Sequence, residues 1–364
     1  MDFIRPNLPN IPPATHGAID YAELERHKLN PDEVIDFSVN SNPFGPSPLV
    51  RQALEETPLD RYPDRECLVL RRTLSDKLGV PAAQIVAGNG AAELIWLAAF
   101  AFLQAGDYVL ILGPTFGEYE RSVRLVSANP VYSNASPQNG FNIDESEISQ
   151  LLTHTNFRAV FICNPNNPTG QIISPDTICT WADQNPRTLF MVDEAYHRFV
   201  FGYRSLIHNT LPNFIVFRSM TKDYALAGLR LGYAVGNERL IQILSMVRPA
   251  WNVNSLAQNA GIAALLDEDY YRTTLAQLRE EKFTFVKGLV DLGLSPIPSH
   301  THYFLLPVRS AADIRQMMLK NGILVRDCTS FGLPEYIRIS TRKREENQQL
   351  IKCLQTNHNI RHYI

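Results

Sequence analysis

Four polar segments follow short apolar runs and carry the side chains best suited to chemistry. They are 88–94 (GNGAAEL), 164–170 (NPNNPTG), 193–196 (DEAY) and 219–230 (SMTKDYALAGLR). In an open α/β sheet, ligands bind beyond the carboxyl ends of the strands. If the apolar runs are strands of one sheet, we expect all four segments to contribute to one site.

Lys222 is the candidate nucleophile. It follows an apolar run and lies in a weakly charged stretch, where burial would lower the pKa of its amine and favour Schiff-base chemistry. An isolated lysine is more often a surface residue. The neighbouring segments decide between these two interpretations.

The segment 88–92 leaves a predicted strand and enters an apolar helix, which is an arrangement that can bind phosphate. Glycines allow close approach of the backbone, and the first N–H groups of the helix are free to bind an anion. Such a turn is often only a connection, and the segment has neither the full G-x-G-x-x-G spacing nor a Walker lysine. Ser219 and Arg230 add a hydroxyl and a guanidinium that suit a phosphate dianion.

Asp193 and the segment 164–170 each allow two interpretations. Asp193 follows the apolar run 188–192, so it either caps the next helix or accepts a charge-assisted hydrogen bond. The prolines, asparagines and glycine of 164–170 form a turn by themselves. From the residues alone, both alternatives stay open.

The elements that position these segments predict an α/β fold. Short runs with apolar residues on both faces are typical of a mostly parallel buried sheet, and helical patterns such as 91–103 and 175–183 lie between them. The predicted strands are 84–87, 108–112, 159–162, 188–192, 214–217 and 232–235.

After residue 254 the pattern changes to that of a smaller α+β domain. Long helical stretches cover 257–292, a helix lies near 311–321, another begins at residue 344, and strands are predicted at 302–306, 323–326 and 336–339. The proline-rich segment 6–13 indicates an extended arm. The predicted division is 1–40 for the arm and part of the small domain, 41–255 for the large domain, and 256–364 for the small C-terminal domain.

The composition is that of an ordinary folded protein. Of 364 residues, 45% are hydrophobic and 20% are charged, and the net charge of −3 gives no general attraction to nucleic acid or to an anionic membrane. Five scattered cysteines without a C-x-x-C pair indicate neither a disulfide framework nor a metal site. The apolar run 94–103 is too short to span a bilayer, and the N-terminus lacks a signal-peptide core, so we expect a cytoplasmic protein.

Together the motifs resemble those of the fold type I pyridoxal-5′-phosphate (PLP) enzymes, the aspartate aminotransferase superfamily. NPNNPTG, DEAY and SMTK occur in order, and Arg338 follows in YIRIS. The likeness begins at 36–43. Within the superfamily, the segments 61–64 (RYPD) and 325–328 (VRDC) resemble those of histidinol-phosphate aminotransferases and threonine-phosphate decarboxylases. It implies a large PLP-binding domain, a smaller domain and a homodimer.

The resemblance also implies a role for individual residues. Lys222 would form the Schiff base with PLP and act as acid and base, and Asp193 would pair with the pyridine nitrogen. Asn167 and Tyr196 would hold the phenolic oxygen, and Phe116 would stack on the ring. The implied phosphate ligands are Gly90, Ala91, Ala92, Ser219, Arg230 and, from a neighbouring subunit, Tyr62.

For the substrate, the resemblance implies that Arg338 binds the α-carboxylate with Asn42 nearby. Arg326 would read a distal phosphate, although an arginine can also be a surface ion-pair partner. Thr15 and His16 belong to THGA, which resembles the His-Gly-Gly element of the decarboxylases without its second glycine. They would cover the active site or supply a second base. Acids that could help a guanidinium ligand, or else form a solvated face, are Asp20, Glu23 and Glu25.

Transamination of the histidinol-phosphate type is the leading prediction for function. Decarboxylation of threonine phosphate, or elimination and cyclisation of a hydroxylated arginine as in L-enduracididine-forming cyclases, would begin with the same bound amino acid. A PLP-binding regulatory module is a remote alternative, because such proteins carry a DNA-binding domain and this chain has no basic patch to supply one.

Overall fold

A computed structural model of the chain describes residue 3 and residues 8–357. Residues 6 and 7 of the predicted arm and the outer ends of the first and last predicted domain ranges lie outside the described residues. The helices are α1 Tyr21–His27, α2 Pro48–Glu55, α3 Leu68–Leu78, α4 Ala91–Phe102, α5 Glu118–Leu125, α6 Glu145–His154, α7 Pro175–Gln184, α8 Glu238–Val247, α9 Ser255–Leu266, α10 Glu268–Asp291, α11 Ala311–Lys320 and α12 Arg344–Thr356. The strands are β1 Ile35–Asp36, β2 Ile85–Gly88, β3 Tyr108–Gly113, β4 Asn129–Asn134, β5 Ala159–Cys163, β6 Leu189–Asp193, β7 Phe214–Ser219, β8 Gly232–Gly236, β9 Tyr303–Pro307, β10 Ile323–Leu324, β11 Arg326–Asp327 and β12 Tyr336–Ser340.

A seven-stranded sheet in the order β2-β8-β7-β6-β5-β3-β4 forms the centre of the large domain. The strands from β4 to β7 are parallel, and β8 runs antiparallel to both of its neighbours. The predicted α/β class and mostly parallel sheet are confirmed. Strand β4 was not predicted, because it is an edge strand with Pro130 and exposed polar residues instead of an apolar run.

Helices cover both faces of this sheet. Along β6, Phe190 and Val192 pack into one apolar cluster while Met191 between them packs into the other, as the alternation of side chains in a strand requires. The first cluster contains residues of α3 and α9, and the second contains residues of α4, α5 and α8. Burial on both faces explains why these strands are continuous apolar runs.

The smaller domain contains an antiparallel sheet in the order β11-β12-β9. The predicted strand 323–326 is two strands that meet at Val325: β10 pairs in parallel with β1 near the N-terminus, whereas β11 pairs with β12. Arg326 therefore lies directly opposite Arg338. The predicted domain boundaries at residues 40 and 255 stay a prediction.

Among the residues that the structure describes, every helix falls short of the length and apolar character that a membrane span requires.

A glycine contact where β8 meets the start of α4 provides a test of this packing. A Cβ added at Gly232 would lie 2.5 Å from the backbone nitrogen of Ala91 and 2.8 Å from the carbonyl oxygen of Arg218. We expect Gly232→Ala to lower the free energy of unfolding by about 1–3 kcal/mol, because backbone must move. Urea denaturation measures the change.

Gly228→Ala is the matched control. A Cβ at Gly228 meets nothing within 4 Å, so its effect should stay within about 0.5 kcal/mol. Equal unfolding midpoints for the two variants would show that the close approach at Gly232 is wrong.

Candidate active site

Two adjoining cavities lie at the carboxyl ends of the parallel strands. The smaller, of about 100 Å³, is lined by residues of all four predicted segments. The larger, of about 690 Å³, shares Lys222, Asn167, Tyr196, Phe116 and Arg230 with it. The predicted site residues that line at least one cavity are Thr15, His16, Ala91, Ala92, Phe116, Asn167, Asp193, Tyr196, Ser219, Lys222, Arg230, Arg326 and Arg338.

Lys222 follows β7 and is the lysine that both cavities share. Burial of its amine lowers the pKa of Lys222 to about 8, and the positive charges of Arg338 and Arg230 act in the same direction. Asp193 opposes this shift. Roughly a tenth of the amine is therefore neutral and nucleophilic at pH 7, far more than at the ordinary pKa of a lysine.

Asp193 ends β6 and is 5% exposed. One carboxylate oxygen accepts a hydrogen bond from the Tyr119 hydroxyl at 2.7 Å, and the other accepts one from the Ala195 backbone N–H at 2.9 Å. Burial raises the pKa of Asp193, while these two bonds lower it. Of the two sequence interpretations, the strong hydrogen bond is the one observed, and Asp193 closes a short turn instead of capping a helix.

The end of the smaller cavity near α4 has the donors that a phosphate needs. Gly90 precedes α4 with a φ of +82°, and a Cβ there would lie 3.0 Å from the Arg230 guanidinium. The hydroxyls of Ser219 and Thr221 are 2.7 Å apart on the same wall. Backbone N–H groups, two hydroxyls and a guanidinium form a complete donor set for a phosphate.

The turn 164–170 both supports and lines the site. Asn166 supports it, since its amide donates to the Pro114 carbonyl at 2.9 Å and to the Thr169 hydroxyl at 2.9 Å. Asn167 faces the cavities, and its side-chain oxygen accepts a hydrogen bond from Arg338. The segment is therefore a turn that also contributes a side chain to the cavity wall, and its role in binding a ligand stays a prediction.

Arg326 and Arg338 meet on the wall of the larger cavity. Arg326 is 6% exposed, and its Nη2 donates to the Thr15 carbonyl at 2.8 Å and to the Ser330 hydroxyl at 2.6 Å. Burial, followed by repulsion from Arg338, lowers the pKa of Arg326 to about 10. Within residues 8–357, neither arginine pairs with a carboxylate. The surface ion-pair interpretation of Arg326 is therefore wrong.

The segment 11–18 forms one wall of the larger cavity. His16 Nε2 lies 2.8 Å from Glu118 Oε1, and the other Glu118 oxygen accepts a hydrogen bond from the Trp96 indole at 2.8 Å. The bond to His16, opposed by burial, lowers the pKa of Glu118. Glu23 pairs with Arg315 and Asp20 caps α1, so neither acid lines the cavity.

Three predicted site residues, Gly90, Asn42 and Tyr62, do not line the cavities of this chain. Asn42 is buried, and its amide donates to the Asp223 carbonyl and to the Thr274 hydroxyl, so it supports the segment that follows Lys222. Tyr62 is 80% exposed and stacks on Trp251 with ring centroids 4.7 Å apart.

Other cavity residues were not predicted. They include Tyr119, Thr221, Asn40 and Glu118. Thr221 lies beside Lys222 in SMTK and Glu118 follows the predicted Phe116 closely, so position in the chain could have suggested both. No local signal distinguishes Tyr119, whose partner Asp193 is distant in sequence.

Comparison with known proteins identifies the family. The model of aminotransferases of class I and II matches residues 32–354. The chain belongs to this family. It is accordingly a PLP-dependent enzyme.

Relatives agree with this assignment. The histidinol-phosphate aminotransferase of Caldicellulosiruptor saccharolyticus is 33% identical, over 92% of this chain and 94% of that protein. The L-threonine-O-3-phosphate decarboxylase of Porphyromonas gingivalis has a TM-score of 0.78 with 27% identity, covering 88% of this chain and 98% of that one. The histidinol-phosphate aminotransferase of Sinorhizobium meliloti, solved with PLP, shares the fold with a TM-score of 0.88 and 24% identity, covering 100% of this chain and 98% of that one.

The donor set fits PLP. Hydroxyls and backbone N–H groups gather with Arg230 at one end of the smaller cavity, Asp193 lies on its wall, and the Lys222 amine lines it. An anionic phosphate, a basic ring nitrogen and an aldehyde are the groups that such residues bind.

The lowered pKa of Lys222 gives a pH-dependent prediction. Burial disfavours the charged amine, so it loses its proton near pH 8 instead of near its ordinary value of 10.5. The rate at which cofactor-free protein captures PLP should rise with pH, reach half of its limit near pH 8 and level off about one pH unit higher. Stopped-flow visible absorption at a series of pH values measures it, and an apparent pKa near 10.5 would contradict the burial of the amine.

Lys282 offers a matched control. Burial also lowers its pKa to about 8, but its amine donates to the Ser299 carbonyl outside both cavities. Lys222→Met should abolish the visible absorption band that forms when the lysine captures PLP, and Lys282→Met should keep this band.

Proposed function

We propose that this enzyme transfers the amino group of a phosphate-bearing amine of the histidinol-phosphate type to a 2-oxo acid. The supporting observation is the buried pair of Arg326 and Arg338, which face the larger cavity without a carboxylate partner in the described part of the chain. Two uncompensated guanidiniums favour a ligand with a phosphate or two carboxylates. The relatives named as histidinol-phosphate aminotransferases support this choice.

The roles in the reaction follow from the chemistry of each group. PLP, when bound, supplies an electron sink that makes a proton on the substrate's amine-bearing carbon acidic. Lys222, with a pKa of about 8, is suited to remove that proton and to return it at a different carbon. Asp193 places a negative charge where the ring nitrogen needs one. Asn167, Tyr196 and Phe116, which line the same cavity, would orient the ring.

The substrate contacts belong to the smaller domain and the N-terminal segment. Arg338 is proposed to bind the carboxylate of the 2-oxo acid, and Arg326 the distal phosphate or second carboxylate. Thr15 and His16 form a wall that restricts water, with His16 held by Glu118. Asn42 is not retained as a substrate contact.

A homodimer is part of the proposal. Tyr62 and Trp251 form an exposed aromatic pair, which suits contact with a second copy whose phosphate site Tyr62 would complete. The cytoplasmic location stays a prediction.

Amino-transfer assays test the proposed reaction. Purified protein with PLP, histidinol phosphate and 2-oxoglutarate should form glutamate, and Lys222→Met should not. Parallel reactions contain O-phospho-L-threonine or a hydroxylated arginine. Release of carbon dioxide from the former, or turnover of the latter, without glutamate formation in any reaction would overturn transamination and favour decarboxylation or cyclisation.

Arg326→Gln should remove the preference for a phosphorylated donor. One hydrogen-bonded charge is worth about 1.5–3 kcal/mol, so kcat/KM for histidinol phosphate should fall by roughly tenfold or more, while the value for unphosphorylated histidinol changes little. The control is Arg344→Gln, which alters a mostly exposed arginine paired with Glu281. A parallel fall for both donors would contradict phosphate recognition by Arg326.

A further inference from the structure

Tyr119 is a buried residue whose position connects two parts of the cofactor site. It lies in the first turn of α5 and is 0% exposed. Its ring stacks on Phe161 of β5 with centroids 5.0 Å apart and planes 8° apart, and its edge meets Phe116 at 5.5 Å. The Tyr119 ring is therefore held by packing beside Phe116, the residue assigned to stack on PLP.

The hydroxyl of this clamped ring is directed at Asp193. It donates to Oδ2 at 2.7 Å, while Oδ1 accepts from the Ala195 N–H at 2.9 Å. Burial and the charge of Asp193 raise the pKa of Tyr119 well above its usual range. The phenol consequently keeps its proton and remains the donor in this bond. With one fixed donor on each oxygen, the carboxylate cannot rotate freely.

We propose that Tyr119 is a positioning residue for the reaction, acting through Asp193 to keep this carboxylate ionised and aimed at the cofactor's ring nitrogen. The inference rests on the proposed role of Asp193. It assigns to Tyr119 a function that the phosphate ligands and the stacking residue do not supply.

The physical reason is the cost of a buried charge. Burial raises the pKa of Asp193, and the Tyr119 hydrogen bond is the largest effect that opposes it. Without this bond the acid would become neutral at a higher pH. A neutral carboxyl group cannot stabilise a protonated ring nitrogen. Two other ionisable groups, Lys222 and Glu194, affect the pKa of Asp193. The charge of Asp193 in turn raises the pKa of Cys163 and of Tyr196.

Tyr119→Phe tests the proposal, because it removes the hydroxyl and keeps the ring stacked on Phe161. The measurement is the dissociation constant for PLP, obtained by equilibrium titration from pH 5 to 9. At neutral pH we expect binding to weaken about tenfold, the size of one hydrogen bond to a charged group. The acid limb of the profile should also move to higher pH, since protonation of Asp193 then begins earlier. A loss of packing alone would weaken binding equally at every pH.

Tyr270→Phe is the matched control. Its hydroxyl donates to the Phe44 carbonyl at 3.0 Å and contacts neither cavity. This variant should keep both the affinity and the pH profile. Thermal unfolding of both variants confirms that they are folded before titration.

A double-mutant cycle with Asp193→Asn identifies the route of action. If Tyr119 acts through Asp193, adding Tyr119→Phe to Asp193→Asn should change PLP affinity by less than about twofold. An equal loss in both backgrounds, or an unchanged pH profile in Tyr119→Phe, would overturn the proposal while leaving the proposed function intact. Failure of the unaltered protein to bind PLP would overturn both.

Discussion

The burial of several cations in one cavity is the constraint on which this site depends. Lys222, Arg326 and Arg338 line one cavity, and burial together with Arg338 lowers the pKa of Lys222 to about 8 and of Arg326 to about 10. Such charges are costly without partners. The fold imposes the arrangement through the register that places Arg326 opposite Arg338. Anionic ligands would reduce the cost of these buried charges, so burial accounts both for the lowered pKa of Lys222 and for the expected preference for anions.

The parallel sheet places the negative charge of Asp193 at the same edge as Lys222. Strands β5, β6 and β7 are adjacent and parallel, so the residues that follow them share one edge. Glu194, the residue after Asp193, pairs with Arg218 at 2.8 Å and accepts a hydrogen bond from the Leu206 N–H at 2.8 Å. These contacts hold the end of β6 in place. This buried network has its hydrogen bonds largely satisfied within the protein, so it can hold the end of β6 rigidly.

Local patterns in the sequence were sufficient to predict the central strands and the main site residues. They were insufficient for features that depend on which distant segments pair with each other. Apolar runs predicted the central strands, and ordered motifs predicted Lys222 and Asp193 at one site. The edge strand β4 has no apolar run, and the break at Val325 depends on which partner each half finds. Asn42 shares its motif with cavity-lining Asn40, yet only Asn40 faces the cavity. Local pattern alone does not distinguish these two asparagines.

Arg326 joins the N-terminal segment to the wall of the larger cavity. The Arg326 guanidinium carries five N–H donors, two on each Nη and one on Nε. The hydrogen bonds to Thr15 and Ser330 both use Nη2. The groups on Nη1 and Nε form no hydrogen bond with other described residues. They remain available for an anionic tail while Nη2 keeps holding the carbonyl of Thr15. The two parallel N–H pairs of a guanidinium are Nη1 with Nη2 and Nε with Nη2. Both pairs need Nη2, so an anionic tail would receive single hydrogen bonds from Nη1 or Nε while Thr15 stays bound, and a bidentate contact would require Nη2 to release Thr15 or Ser330.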